Sequence, residues 1–161
     1  MRSFDPTTGL SRSTRNLLLL AIVLAVIHHA DHVLRVDHSG WPFRAMVTPF
    51  TFSLIAYPVL LFALLGRASL FWLRFALLAI GAALTVFAHA TLESPRMQYA
   101  MWAYNRSLEP QFWDVRNLCG IQSGTMGVIA VIVSMALNVT LVATCVSMLR
   151  DGLGRHRGHT D

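Results

Sequence analysis

Residues 28 to 35 read His28-His29-Ala30-Asp31-His32-Val33-Leu34-Arg35 and lie in an otherwise apolar run from Leu17 to Val36. Ionisable side chains at bilayer depth are costly and rare, and mark a functional site by default. On a helix, positions 28, 31, 32 and 35 share a face, so His28, Asp31, His32 and Arg35 point one way and His29 another. Imidazoles and a carboxylate at that spacing have the geometry of a metal or proton site. A second pair, His89 and Glu93, is also spaced i, i+4 and closes another long apolar run.

Together His28, Asp31, His32, His89 and Glu93 make a donor set suited to Zn, Fe, Mn or Cu rather than Ca or Mg. They can hold one metal ion, or two sharing a carboxylate; alternatively Asp31 orients a ligand histidine from behind. The C-terminal ends of helices add partial negative charge and so favour a cation. In an enzyme the ion would activate water, polarise a substrate or pass electrons, with Glu93 or Asp31 as general base. Haem ligated by His28 or His32 together with His89 is a minor alternative. The plainest reading is a hydrogen-bonded network with local pairs His28/Asp31 and Asp31/Arg35. His38, in a turn-forming stretch beyond the run, is either an additional outer donor or a solvated side chain.

The elements that must position these residues are apolar. The chain is 55% hydrophobic and 13% charged, against about 25% charged in soluble domains. Four runs, about 16–36, 47–66, 69–92 and 121–149, each approach or exceed the roughly 20 residues of a spanning helix. The predicted fold is all-α: a polytopic membrane protein with four transmembrane helices in a compact antiparallel bundle. Arg12 and Arg15 ahead of Leu17–Ile27 imitate a secretory signal. No small-x-small cleavage site follows, and apolar residues resume at Val33, Leu34 and Val36, so the first run is expected to be a retained helix.

Residues 1–15 form a basic tail and 150–161 a polar one, and the positive-inside rule places both in the cytoplasm, most simply beneath a bacterial inner membrane. The predicted inner side then carries eight arginines against three acids, and the outer side five against five. Helices 1 and 3 run outward and end at one level, which lets their two ionisable sets meet. The hairpin at 66–69 makes helices 2 and 3 antiparallel neighbours. Tyr57-Pro58 predicts a bend in the second span, and Arg74 stands within snorkelling reach of the inner interface. The external loop 94–120 is aromatic; Met97, Met101, Tyr104 and Leu108 at helical spacing suggest an amphipathic helix on the membrane surface. Trp41 and Phe43 suit the outer interface.

Gly120/Gly124 and Ser123/Gly127 open the last span with small residues that permit close helix approach, within the chain or in a homo- or hetero-oligomer. The net charge of +5 comes from arginines flanking the spans, so nucleic acid is not an expected partner. Cys119 and Cys145 are a bilayer thickness apart and cannot form a disulfide. No phosphate-loop lysine follows the glycines, and no Ser or Cys nucleophile stands beside a base. The functional expectation is a small integral membrane protein with a His/Asp/Glu site at its outer face. That site binds a transition metal and, as an enzyme, acts on a lipid-soluble substrate. The competing expectation is a non-catalytic accessory or assembly subunit.

Overall fold

The computed structural model describes residues 4–36, 49–108 and 116–157. Among them there is no β-strand, only an isolated bridge between Phe4 and Ser11. The helices are α1 (Arg12–Val36), α2 (Ala56–Leu65), α3 (Phe71–Thr91), α4 (Pro95–Ala103) and α5 (Gly124–Arg157), with 3₁₀ turns over Pro49–Ile55 and Ala68–Leu70. Three stretches, Arg12–Arg35, Ala68–Thr91 and Gly124–Arg155, are long and apolar enough to cross a membrane, and Phe52–Leu65 is a shorter apolar helix. Only 22% to 33% of each long span is buried, and the outward side chains are themselves apolar. They include Val23, Val26 and Ile27 on α1, Ile80, Leu84 and Phe87 on α3, and Ile132 and Val139 on α5. A helix apolar on its outward face with polar groups held inside suits lipid better than water.

The span expected over 47–66 is not one α-helix. Pro58 has no N–H for the carbonyl four residues back, and its ring would clash with that carbonyl. The α-helix therefore starts at Ala56, where Pro58 falls in the first turn and its missing donor costs nothing; the chain before it winds as 3₁₀. A change of helix type takes the place of the expected bend. The loop expected over 94–120 contains α4, which Ser94 caps by accepting from the Met97 N–H at 3.4 Å, with Pro95 in the first turn. Gln98, Ala100, Met101 and Trp102 of α4 are buried, so this helix packs into the protein. The expectations resting on His38, Trp41 and Phe43 lie outside the described residues.

The chain divides into two compact units, one of Met1–Val23, Ile55–Thr85 and Asn138–Asp161, the other of Leu24–Leu54 and Val86–Leu137. In the first, polar groups tie the helices. Ser11 caps α1 by accepting from the Thr14 N–H at 3.3 Å. Asp151, fully buried, accepts from the Ser11 N–H at 2.9 Å and the Thr14 hydroxyl at 2.6 Å. A carboxylate at the N-terminal end of α1 meets both the orphan donors and the positive end of the helix dipole. Arg74 does not snorkel. Its guanidinium is fully buried and donates to Phe62 and Ala63 carbonyls at the end of α2, and to the Thr8 carbonyl at 2.6 Å. The Phe62 carbonyl also accepts from the Gly66 N–H at 2.9 Å; at a helix end carbonyls outnumber the N–H groups that can reach them, so the cation is held where acceptors are in excess.

Candidate metal centre

The site lies within the second unit. The last turns of α1 present His28, Asp31, His32 and Arg35; His28, His32 and Arg35 are buried and Asp31 is half-buried, while His29, off that face, is half-buried elsewhere. The end of α3 brings His89, which is buried, and the turn after it brings Glu93. Glu93 is fixed by its own N–H to the Ala88 carbonyl at 2.9 Å and by the Gln98 side-chain amide, which donates to the Glu93 carbonyl at 3.1 Å. That amide also reaches the Ser134 hydroxyl on α5 at 3.1 Å.

His28 and His89 face each other with their Nε2 atoms 2.9 Å apart and their ring centroids at 4.7 Å. One ring must carry the proton on Nε2 and the other the lone pair, and a metal ion can take the place of that proton. His32 packs edge-on to His28 at 5.1 Å between centroids and hydrogen-bonds through Nε2 to Glu93 Oε2. Arg35 lies between two carboxylates: Nε donates to Asp31 Oδ2 at 2.8 Å, and Nη1 pairs with Glu93 Oε1. Trp102 closes the set from α4, donating through Nε1 to Asp31 Oδ1 at 2.7 Å.

Ligand atoms of His28, His89 and Glu93 all lie within 4.8 Å of one another. With bonds near 2 Å, tetrahedral ligand atoms sit about 3.3 Å apart, so to hold an ion the histidine pair would have to open slightly and the carboxylate to move inward. With neutral imidazoles the two carboxylates exceed the one guanidinium by a single negative charge, which favours a cation. Burial pushes the Glu93 carboxyl up. Arg35 and then His32 oppose that, and the net result is a carboxyl held below its usual range.

No match is found among protein-family models, curated proteins or solved structures. The site is therefore read from its own chemistry. Of the five residues expected from the sequence, His28, His89 and Glu93 form the group close enough to share an ion, and His32 bonds to Glu93. Asp31 has one oxygen on Arg35 and the other on Trp102. The sequence pattern puts Arg35 on the right face but gives it no link to Glu93, and leaves Trp102 unassigned within the aromatic loop 94–120. Gln98 and Trp102 at i, i+4, one polar side chain and one indole N–H on a single helical face, are the only signal the sequence offers, and both prove buried.

Proposed function

We propose that this is a small integral membrane protein that binds a transition metal ion through His28, His89 and Glu93. The observation that carries the reading is the convergence of two imidazoles and a carboxylate within 4.8 Å on helices apolar enough to span a bilayer. Two histidines and one carboxylate leave coordination positions open, the pattern of catalytic zinc and of non-haem iron sites. An ion so held would polarise or activate a lipid-soluble substrate. Asp31 and His32 then act from behind: Asp31 holds Arg35, and Arg35 with His32 orients Glu93, as outer groups commonly orient metal ligands. Haem, which His28 or His32 together with His89 would hold, is the lesser alternative. The topology that goes with this reading has both termini in the cytoplasm and the site near the outer face of a bacterial inner membrane.

Elemental analysis of the protein purified in detergent, without affinity metals, tests it. One equivalent of Zn, Fe, Mn or Cu per chain is expected, lost in His28→Ala and His89→Ala. Metal-free wild-type protein that takes up none of these ions on titration would end the reading.

A second reading keeps the same bonds without an ion, as a network that fastens α1, α3 and α4. Its support is the Arg35 guanidinium between Asp31 and Glu93, with Trp102 on the far side of Asp31. It predicts that His28→Ala and His89→Ala leave metal content unchanged.

A further inference from the structure

The first unit carries a rim of arginines that the metal site does not use. Arg12 and Arg15 stand in the opening turns of α1, Arg67 in the turn between α2 and α3, and Arg150 and Arg155 in the last turns of α5. Short contacts gather these segments: the Ala68 N–H donates to the Thr7 carbonyl at 2.9 Å, and the Ser11 N–H to Asp151 at 2.9 Å. Arg12, Arg15, Arg67 and Arg150 are exposed, and Arg155 is half-buried. The two described acids of this rim are already engaged. Asp5 accepts from the Thr7 hydroxyl and the Thr7 and Thr8 N–H groups, and Asp151 from Ser11 and Thr14.

Arg155 has a built seat. Its guanidinium lies over the Phe71 ring, 5.2 Å from the centroid, a cation–π contact that uses the face of the fork and leaves its edge donors free. Gly9 makes the room: a Cβ there would stand 2.2 Å from Arg155 Nη1, and its φ of +71° is one that glycine adopts without strain. No described carboxylate pairs with Arg155.

We propose that this rim binds the phosphate of anionic phospholipid headgroups, with Arg155 as its central contact. The inference rests on the membrane reading above. The chemistry favours a headgroup because all five cations stand at the ends of apolar helices, the level at which a bilayer presents its phosphates. A planar fork with free edge donors matches a phosphate diester.

The test is native mass spectrometry of the full chain in non-ionic detergent. Phosphatidylglycerol or phosphatidylcholine of equal chain length is added at low and high salt, with inorganic phosphate as competitor. Wild type is expected to retain phosphatidylglycerol preferentially, with the preference weakening in salt and surviving millimolar phosphate. Arg155→Gln should lower it by about fivefold, as should each further arginine removed, and Arg155→Lys by less. Equal retention of the two lipids would overturn the proposal, as would a full preference in Arg155→Gln or loss of bound lipid to phosphate. A chain that stays soluble and monodisperse without detergent would sink the membrane reading itself, a result distinct from the loss of lipid preference.

Discussion

The Nε2 atoms of His28 and His89 stand 2.9 Å apart although 61 residues separate them in the chain. Two buried imidazoles can hold that distance by sharing one proton, or open by a few tenths of an ångström around an ion. On the proposed reading, the Glu93 carboxylate beside them favours the second state once a divalent cation is supplied. Wild-type protein stripped with a strong chelator and repurified should rebind Zn²⁺ or Fe²⁺ at one equivalent. Each of His28→Ala, His89→Ala and Glu93→Gln should weaken binding by on the order of 100-fold or more, above the usual effect of an outer group. Isothermal titration in detergent measures it, and equal affinity in all four proteins would exclude this site.

Arg35 and Asp31 provide a different check, because they do not depend on whether an ion is present. Arg35→Leu leaves Asp31 and Glu93 without their cation in a low-dielectric interior. Removing one partner of such a buried group costs about 3–5 kcal/mol. Trp102→Phe keeps an aromatic ring but leaves a small gap, and it deletes one hydrogen bond to a charged group, for about 1.5–3 kcal/mol in the bond alone. Chemical denaturation in mixed micelles should rank wild type, Trp102→Phe and Arg35→Leu in falling stability. An Arg35→Leu protein as stable as wild type would mean that the ion pairs are absent in solution.

Much of this site was legible in the sequence, and the reason is periodicity. Ionisable residues at i, i+3, i+4 and i+7 define one helix face whatever surrounds them; His89 obeys the same rule on α3, whereas Glu93 lies in the turn beyond Thr91 and is placed by its N–H to the Ala88 carbonyl. What periodicity does not carry is the partner on another element. Met97, Met101 and Tyr104 match a surface-lying helix as well as a packed one, so the Trp102–Asp31 bond was hidden until α4 was placed. Helix 2 misled for a related reason: hydropathy counts residues, not hydrogen-bond type, and cannot separate a 3₁₀ turn ahead of Pro58 from a continuous α-helix. Distance from the interface sends Arg74 towards the inner headgroups, whereas the Phe62 and Ala63 carbonyls ending α2 and the Thr8 carbonyl decide where it goes.

Gly127 tests the packing of α4 on α5. A Cβ at this position would lie 2.8 Å from both the Tyr99 ring and the Tyr99 carbonyl oxygen. Gly127→Ala therefore overfills the contact, and a loss of about 1–3 kcal/mol is expected. Tyr99→Ala in the same chain should restore only part of it, since the carbonyl is backbone and stays. Thermal unfolding of the single and double variants in detergent reads this out. A neutral Gly127→Ala would show that the small residues opening α5 meet something other than Tyr99.

Asp151 makes the corresponding test in the first unit. Its Oδ2 takes both the Ser11 N–H and the Thr14 hydroxyl, so Asp151→Ala strands the buried Ser11 N–H, leaves the Thr14 hydroxyl only the Ser147 and Ser11 hydroxyls at 2.7 and 3.1 Å, and removes the charge facing the helix dipole. A loss of about 2–3 kcal/mol follows from hydrogen bonds to a charged acceptor. Asp151→Asn keeps an acceptor oxygen and forfeits only the charge, for about 1 kcal/mol. Thr14→Val removes one of the same bonds, so Asp151→Ala and Thr14→Val combined should cost less than the sum of the two alone. Denaturant midpoints of the four proteins supply the cycle. Strict additivity would mean that the Thr14 hydroxyl and Asp151 do not touch, leaving Asp151 only the Ser11 N–H at the start of α1.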